Sequence, residues 1–349
     1  MSPGEGYDQG STNQASANKG AVEWLIRGAV AAAAISPGVI SILDLGSATG
    51  KNSAGELKHA VDAILQADAG RTIVVTHIDT TSNDWNQLSR TLMSAPGSYL
   101  NGSAAGKVFG HMSAKSFFEQ VAPAGSVALA YSGISFHWMS HCLPHSDCWV
   151  QREFTADRAA CTANKQQAAE DWLQILKQRA IELMPGGYLI ATALTKKHSE
   201  GLNILFADWG HQCWQEVLHQ DIISHQEFAN FTFGTWLRTT EEWLAPFKGE
   251  MCNIFEVLDF QEQASTDSNW TNYKNAEGPE PDKALALARG YCRFVFAVAG
   301  GIVTANLAHR PRAEVDKVLE LMKAKFIDLA RSKPIEFRFP TMMVVLRRK

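Results

Sequence analysis

The stretch Val39–Ser53 places the strongest constraint on the fold. Its apolar run, Ile40–Leu45, has the pattern of a strand that is buried on both faces, as in the centre of a parallel sheet. Gly46 and Gly50 allow a tight turn and a close approach of the backbone to a ligand. A helix that begins near Ser53 would point its free N–H groups at the same place. The stretch therefore predicts an α/β fold, with a nucleotide-type loop at the carboxyl end of the first strand of a doubly wound sheet.

The loop lacks the phosphate-loop pattern and a full dinucleotide fingerprint. Its D-x-G-x-x-x-G spacing, from Asp44 to Gly50, is the pattern of S-adenosylmethionine (SAM)-dependent methyltransferases. A dinucleotide enzyme and a sheet turn without a ligand stay open as alternatives. A second acid favours the methyltransferase, because Asp79 ends the predicted strand of residues 71–78, where a carboxylate can accept both ribose hydroxyls. Taken alone, Asp79 is as well explained as a helix cap or turn residue.

The bulk composition excludes several classes of protein. The chain has 349 residues, 46% of them hydrophobic, which suits one large domain or a domain with a sizeable insertion. Its net charge is −4 and it has no basic run, so nucleic acid is not an expected partner. No apolar window approaches the length of a membrane span, and the N-terminus lacks the features of a signal peptide. The six cysteines show no disulfide framework, which fits a reducing compartment, so we expect a cytoplasmic protein. Because no apolar window is long enough to span a membrane, we expect no membrane contact either.

One cluster of residues has the side chains of a zinc site. It comprises His141, Cys142, His145 and Cys148. These residues are crowded together, and no second half-site follows at a usual spacing. The pattern is more typical of a loop with incidental thiols, and we predict no metal.

The remaining patterns predict a Rossmann-like core with an inserted helical cap. Helices are predicted at residues 21–34, 54–67, 166–183, 198–245, 283–307 and 313–332, and strands at 126–131, 188–194, 250–260 and 337–348, with a loop at 261–281. We divide the chain into an N-terminal lid (1–20), a SAM-binding core (21–197), a helical cap (198–248 and 261–333) and late strands that complete the sheet (249–260 and 334–349). The cap would cover the carboxyl edge, where such sheets bind ligands.

Short motifs occur in order along nearly the whole chain. They are Tyr7-x-x-x-Ser11-x-x-Gln14, Asp44-Leu45-Gly46 with Gly50 and Asn52, Asp79 followed by Asn83-Asp84-Trp85-Asn86, Ser116-Phe117-Phe118 leading to Pro123, Ser135-Phe136-His137-Trp138-Met139-Ser140, and Glu182-Leu183-Met184-Pro185-Gly186-Gly187. Each is similar to a motif of the SABATH family of small-molecule carboxyl methyltransferases, some of which methylate nitrogen. Together, in this order, they resemble a distant, non-plant member of that family.

The resemblance implies a role for each motif. The cofactor SAM would be held by Asp44, Gly46, Asn52, Asp79, Thr80, Ser116 and Phe117, with Tyr7 and Ser11 closing over its methionine end. Asp79 would bind the ribose, and Ser116 with Phe117 would lie at the adenine. The substrate would contact Gln14, His137, Trp138, Ile134 and Trp209, of which the first three would position its carboxylate. Residues 1–20 would then be an ordered lid, although their composition is typical of a disordered tail.

The chain departs from the family pattern at several positions. Ile134 stands where the family often has a Tyr that faces the substrate, which leaves room for an aliphatic, branched or dicarboxylic acid. Thr80 replaces the Leu that follows the ribose-binding acid. Some plant members hold a magnesium ion through a segment of which residues 229–232 keep only the Phe. This departure again predicts no metal.

The predicted reaction is the formation of a methyl ester from a small carboxylic acid, with S-adenosylhomocysteine (SAH) as the second product. A carboxylic acid with a pKa of about 4 is ionised at neutral pH, so its oxygen needs no general base. Gln14, His137 and the N–H of Trp138 are hydrogen-bond donors that would orient the carboxylate. No Ser-His-Asp or paired-acid signature is present in the sequence, which agrees with this chemistry.

Other interpretations stay open at this point. One is an N-methyltransferase of a small heterocycle, and another is a catalytically silent protein that binds SAM or a metabolite. His137 beside a Trp at a strand end can also be a packed structural residue. Trp209 at helical spacing is more often a core residue. The family tends to form dimers, so a homodimer is expected by analogy only.

Overall fold

The strands that the structure describes form one mixed sheet. The computed structural model describes residues 19–101, 106–144, 149 and 156–349. Its strands are β1 (Ile40–Leu45), β2 (Ile73–Asp79), β3 (Val108–Ala114), β4 (Val127–Gly133), β5 (Leu183–Leu194), β6 (Phe255–Thr266) and β7 (Arg338–Arg348). Their order across the sheet is β3-β2-β1-β4-β5-β7-β6. The strands β1 to β5 pair in parallel, whereas β7 runs antiparallel to both β5 and β6.

The helices lie on both faces of this sheet and above its carboxyl edge. They are α1 (Lys19–Ile35), α2 (Lys51–Ala67), α3 (Trp85–Ser94), α4 (Arg158–Glu182), α5 (Glu200–Asn203), α6 (His211–His219), α7 (His225–Ala229), α8 (Thr240–Leu244), α9 (Ser268–Asn275), α10 (Glu280–Asn306) and α11 (Arg312–Ser332). A π-helix, Ile204–Gly210, joins α5 to α6, and two short 3₁₀ helices, Ala245–Lys248 and Glu250–Asn253, precede β6.

The first strand shows why the sheet is covered on both sides. Ile40 and Ile42 belong to a core shared with α1 and α2. Leu43 and Leu45 belong to a different core, shared with α4. Successive side chains of a strand point to opposite faces, so an apolar run of this kind needs helices on both. This is the doubly wound arrangement that the sequence predicts.

The cap has a hydrophobic core of its own, separate from the two cores on the sheet. It joins the π-helix and α6 to the long helices α10 and α11. Within the described part of the chain, α10 is the one helix with the length and hydropathy of a membrane span, and 67% of its most apolar window is buried inside the protein. Its apolar residues therefore serve as the centre of the cap core.

Several predicted elements need correction. The strand β3 was not predicted, because most of its residues are exposed and its sequence, VFGHMSA, has no sustained apolar run. Residues 261–281, predicted as a loop, instead continue β6 to Thr266 and then form α9. Pairing of β6 with β7 continues to Thr266, so backbone hydrogen bonds stabilise a polar segment as a strand. The late strand predicted at 249–260 therefore begins later, at Phe255 after the 3₁₀ helix Glu250–Asn253, and ends later, at Thr266.

The order of the strands determines where on the sheet a ligand can bind. The chain crosses from one side of β1 to the other between β3 and β4, which leaves a crevice at the carboxyl ends of β1 and β4. Asp44 lies near the end of β1, Asp79 ends β2, and Gly133 ends β4. The fold thus brings Asp44, Asp79 and the segment after Gly133 together at one edge from distant parts of the sequence.

Candidate active site

Two adjoining cavities open at this edge. The smaller is formed by the loop after β1, and its lining runs from Asp44 through residues 46–53 to Glu56 and Gly133. The larger has a volume of about 350 Å³ and extends beneath the cap. Gly46 and Gly133 line both cavities, so the two are neighbours across the first and fourth strands.

The glycines of the loop are required by its geometry. Gly46 has a φ of +82°, and a Cβ there would lie 2.5 Å from Oγ of Ser135. Gly50 has a φ of +75°, and a Cβ there would lie 2.4 Å from Cδ1 of Leu88. Both conditions, a left-handed backbone and a close neighbour, exclude a larger residue without rearrangement. The prediction of a tight loop from Gly46 and Gly50 agrees with this geometry.

The smaller cavity carries buried polar atoms with unused hydrogen-bonding capacity. Oδ1 of Asp44 and the hydroxyls of Ser47 and Ser53 are buried and have no hydrogen-bond partner among the described residues. Asn52, in the first turn of α2, also lines the cavity. Because a buried polar group without a partner is costly, these atoms indicate a polar ligand. The charged amino-acid end of SAM fits this set of donors and acceptors.

Asp79 lies at the junction of β2 with the larger cavity. Its Oδ2 accepts a hydrogen bond from the backbone N–H of Ala48 at 2.8 Å, and its Oδ1 accepts one from the N–H of Thr80 at 2.8 Å. Burial raises the pKa of Asp79 above its ordinary value, although both backbone hydrogen bonds act in the opposite direction. The hydroxyl of Thr80 also donates to Oδ1, at 3.5 Å. The carboxylate therefore organises the loop, and its Oδ2 keeps a lone pair for a ligand hydroxyl. Asp84, rather than Asp79, caps the following helix α3.

Ser116 and Phe117 follow β3 and line the larger cavity beside Asp79 and Thr80. The ring of Phe117 lies against those of Phe118 and Phe136, with centroids 4.7 Å and 5.4 Å away. Its backbone carbonyl accepts a hydrogen bond from Nη1 of Arg179 at 2.9 Å. This packing fixes an aromatic wall, which fits a flat, apolar group such as adenine.

His137 is a buried neutral residue on the wall of the larger cavity. Burial, with a smaller effect from the positive charge of Arg238, lowers the pKa of His137 to about 3. Its Nδ1 is buried and has no hydrogen-bond partner among the described residues. The imidazole is therefore uncharged at neutral pH and can offer one donor and one acceptor.

Trp138 and Ile134 line the same cavity from either side of His137. The ring of Trp138 stacks on Phe233, with centroids 6.0 Å apart and planes at 14°. Ile134 has a φ of +59°, which is an uncommon conformation for a β-branched side chain. Its backbone N–H donates to the carbonyl of Thr192 at 2.9 Å and so holds this turn against β5. Strained residues of this kind occur where a site needs a side chain in a particular place.

Trp209, predicted as a substrate contact, lies in the core of the cap. Its ring packs edge-on against Phe326 at a centroid distance of 5.7 Å, inside the core of the cap. It is absent from the described lining of the larger cavity. Trp209 lies in the π-helix and packs into the cap core. Its helical spacing in the sequence is likewise more typical of a core residue.

Several predicted residues lie outside the described part of the chain. They are Tyr7, Ser11 and Gln14 of the lid, and His145 and Cys148 of the cysteine–histidine cluster. Among the described residues, no group of three or more His, Cys, Asp or Glu is placed to hold a metal ion. Burial raises the pKa of the Cys142 thiol to about 11, so this thiol stays protonated near neutral pH.

The far wall of the larger cavity was not predicted from the sequence. Most of it consists of apolar side chains from the cap, from the end of β5 and from β7, and Asn203 and Thr235 are its polar members: the apolar residues are Leu194, Leu202, Phe206, Phe233, Leu237, Phe294, Val298, Ile302 and Phe339. Of the described lining residues, only Asp79 and His137 are ionisable, and none is Lys or Arg. In the sequence these apolar residues have the spacing of core helices and strands, so no local signal separated them from the core.

Comparisons with known proteins identify the family of the chain. The family profile described as SAM-dependent carboxyl methyltransferase matches residues 2–349. The chain is 29% identical over 160 residues to Methyltransferase LUC1 of Fusarium sp, which covers 46% of this chain and 41% of that protein. It is 23% identical over 258 residues to gibberellic acid methyltransferase 2 of Arabidopsis thaliana, covering 63% of this chain and 62% of that protein. The chain thus spans less than two thirds of the length of these relatives.

A solved structure, loganic acid methyltransferase with SAH, has the same fold, with a TM-score of 0.76 and 16% identity over 100% of this chain and 98% of that chain. This likeness confirms the predicted Rossmann-like methyltransferase fold. The family profile confirms the resemblance drawn from the ordered motifs and the dependence on SAM. Because that profile covers nearly the whole chain, the protein belongs to the SAM-dependent carboxyl methyltransferase family, the SABATH family.

Proposed function

We propose that the protein transfers the methyl group of SAM to the carboxylate of a small, largely apolar monocarboxylic acid. One observation carries this proposal. The larger cavity adjoins the loop of the smaller one at Gly46 and Gly133, and it combines the neutral donors of His137 and Trp138 with a far wall that is mostly apolar. A cofactor held by the loop and an acid held under the cap would then meet at the junction.

The described residues can bind and orient the reactants without acting as acid or base. Bound SAM supplies a methyl group on a positively charged sulfur. The acid is already ionised at neutral pH, so no residue needs to remove a proton. His137 and Trp138 offer N–H donors to one carboxylate oxygen, which leaves the other free to attack. Positioning of this kind can lower the barrier by roughly 7–11 kcal/mol.

The neutral state of His137 suits this role. Burial lowers the pKa of His137 to about 3, so the imidazole cannot form a tight ion pair with the substrate at neutral pH. A hydrogen bond from a neutral donor holds a carboxylate in place and reduces its nucleophilicity less than a full positive charge would. Gln14 and the lid stay predictions, because they lie outside the described residues.

The chemistry of the lining supports a monocarboxylic acid over a dicarboxylic one. A second carboxylate in the cavity would face apolar side chains such as Phe206 and Phe294, and no described lining residue is Lys or Arg. Burying a charge without a partner is expensive. The predicted range of substrates therefore narrows towards acids with an apolar remainder, whether aromatic or aliphatic.

The test is methyl transfer from methyl-labelled SAM to a panel of acids that differ in charge and polarity. We expect label in apolar monocarboxylic acids, released by mild alkali as a methyl ester should be. Label that survives alkali would favour methylation of nitrogen. Preferential labelling of dicarboxylic acids would contradict the proposed cavity chemistry, and SAM binding without labelling of any acid would favour a silent binding protein.

A further inference from the structure

Beneath the smaller cavity, a buried chain of polar side chains links β1 to the segment after α3. Nδ1 of His77 lies 2.7 Å from Oδ2 of Asp44, and Nε2 of His77 lies 2.7 Å from the hydroxyl of Tyr99. All three residues are buried, with exposed fractions of 1% or less. Asp44 and His77 are register partners on the parallel strands β1 and β2, so their side chains emerge side by side.

The direction of the hydrogen bonds follows from the chemistry of the groups. A carboxylate oxygen accepts, so we assign the Nδ1–H of His77 as the donor to Oδ2 of Asp44. Nε2 of the same ring is then the acceptor of the Tyr99 O–H. Burial, together with the charge of Asp44, raises the pKa of Tyr99 well above its ordinary value, so the phenol keeps the proton that it donates.

The geometry leaves one oxygen of Asp44 for a ligand. Oδ2 is bound to His77, whereas Oδ1 is buried and has no hydrogen-bond partner among the described residues. Asp44 lines the smaller cavity and is absent from the described lining of the larger one. A hydrogen bond to one oxygen fixes the plane of a carboxylate and therefore the direction in which the other oxygen points.

The absence of a side chain at Gly110 leaves room for the hydroxyl of Tyr99 beside His77. A Cβ at Gly110 in β3 would lie 2.9 Å from the hydroxyl of Tyr99. The ring of Tyr99 stacks on that of His77, with centroids 5.8 Å apart and planes at 19°. Residues of β2, of the segment after α3 and of β3 therefore pack together around the hydrogen bond that His77 makes to Asp44.

We propose that His77 and Tyr99 are positioning residues that orient Asp44 so that its Oδ1 receives a donor group of the cofactor. This inference rests on the proposed function, since it assumes that SAM lies against the loop after β1. The competing explanation is purely structural. In that case the three residues only satisfy one another between β1 and β2, and their replacement would change stability without a selective effect on the cofactor.

The experiment compares variants that keep or remove the donor to Asp44. In His77→Asn, the amide N–H can take the place of the Nδ1–H, whereas His77→Leu removes it. Tyr99→Phe removes only the hydroxyl. Tyr291→Phe is a matched control, because Tyr291 is also buried and donates one hydrogen bond, to the carbonyl of Ile335 at 3.0 Å, but it belongs to the core of the cap.

The first readout is the dissociation constant of SAH, measured by calorimetry and so independent of turnover. We expect His77→Leu to weaken SAH binding roughly ten- to hundredfold, as loss of a hydrogen bond to a charged group predicts. His77→Asn should stay within about threefold of the wild type, and Tyr99→Phe should lose about threefold. Tyr291→Phe should bind SAH as the wild type does, even if it unfolds at a lower urea concentration.

The second readout is the Michaelis constant for each substrate. The Michaelis constant for SAM should rise in His77→Leu, while that for the acid stays unchanged. Equal SAH affinity in His77→Leu and His77→Asn, or equal shifts in both Michaelis constants, would overturn the positioning role and leave the proposed function intact. If the wild-type protein binds no SAH, the proposed function and the positioning role both fail.

Discussion

Acidification is expected to destabilise the folded protein through His137. The residue is buried, and burial lowers its pKa from an ordinary value of 6.5 to about 3. Between these two values, the unfolded chain binds a proton that the folded protein excludes. The stability that His137 contributes is therefore fully present above pH 6.5 and is lost as the pH falls towards 3.

The size of the effect follows from linkage. At pH 5 the unfolded imidazole is almost fully protonated and the folded one is almost fully neutral. Each pH unit below the pKa of the unfolded state costs about 1.4 kcal/mol, so the loss through His137 between pH 7 and pH 5 is about 2 kcal/mol. This is a large part of the free energy of unfolding of an ordinary domain.

Urea denaturation at pH 7 and pH 5 measures this loss. Other groups also titrate in this range, so the wild type is compared with His137→Gln, whose side chain is polar and does not ionise. The free energy of unfolding of the wild type should fall by about 2 kcal/mol more than that of His137→Gln between the two pH values. An identical pH dependence in both proteins would refute the argument that His137 is buried as a neutral base.

Three further predictions concern the loop, the ribose acid and the cap. Gly50→Ala should lower the free energy of unfolding by about 1–3 kcal/mol, because its φ of +75° is strained for Ala and its Cβ would meet Leu88 at 2.4 Å; urea denaturation with unchanged stability would contradict this. Asp79→Asn should weaken SAH binding about tenfold in calorimetry, since an amide has one acceptor oxygen in place of two. An unchanged affinity would contradict the prediction that Asp79 binds the ribose. Trp209→Ala should lower the free energy of unfolding by about 3–5 kcal/mol, because Trp209 packs on Phe326 in the cap core. Trp209→Phe should leave the Michaelis constant for the acid unchanged, and a rise in that constant would indicate that Trp209 contacts the substrate.

Much of the core could be predicted because its signals are local. The run Ile40–Leu45 is buried on both faces, and the glycines after it have the left-handed backbone that their positions suggest. The long amphipathic helices α10 and α11 begin and end within a few residues of their predicted limits. In each case the pattern of side chains along the chain itself specifies the burial.

The sequence by itself determined the parallel core, the loop after β1, and the motifs that meet at the carboxyl edge. Tertiary structure alone decided which apolar residues of the cap face the cavity. Phe294 lines the cavity and Trp209 does not, although both lie in segments that the sequence predicts as helical. It also decided that the polar residues up to Thr266 form a strand, through hydrogen bonds to β7. The pairing of His77 with Asp44 depended on strand register, which brings together side chains that are 33 residues apart. Local patterns specify which residues are buried, whereas the partners of a buried residue depend on how distant segments pack.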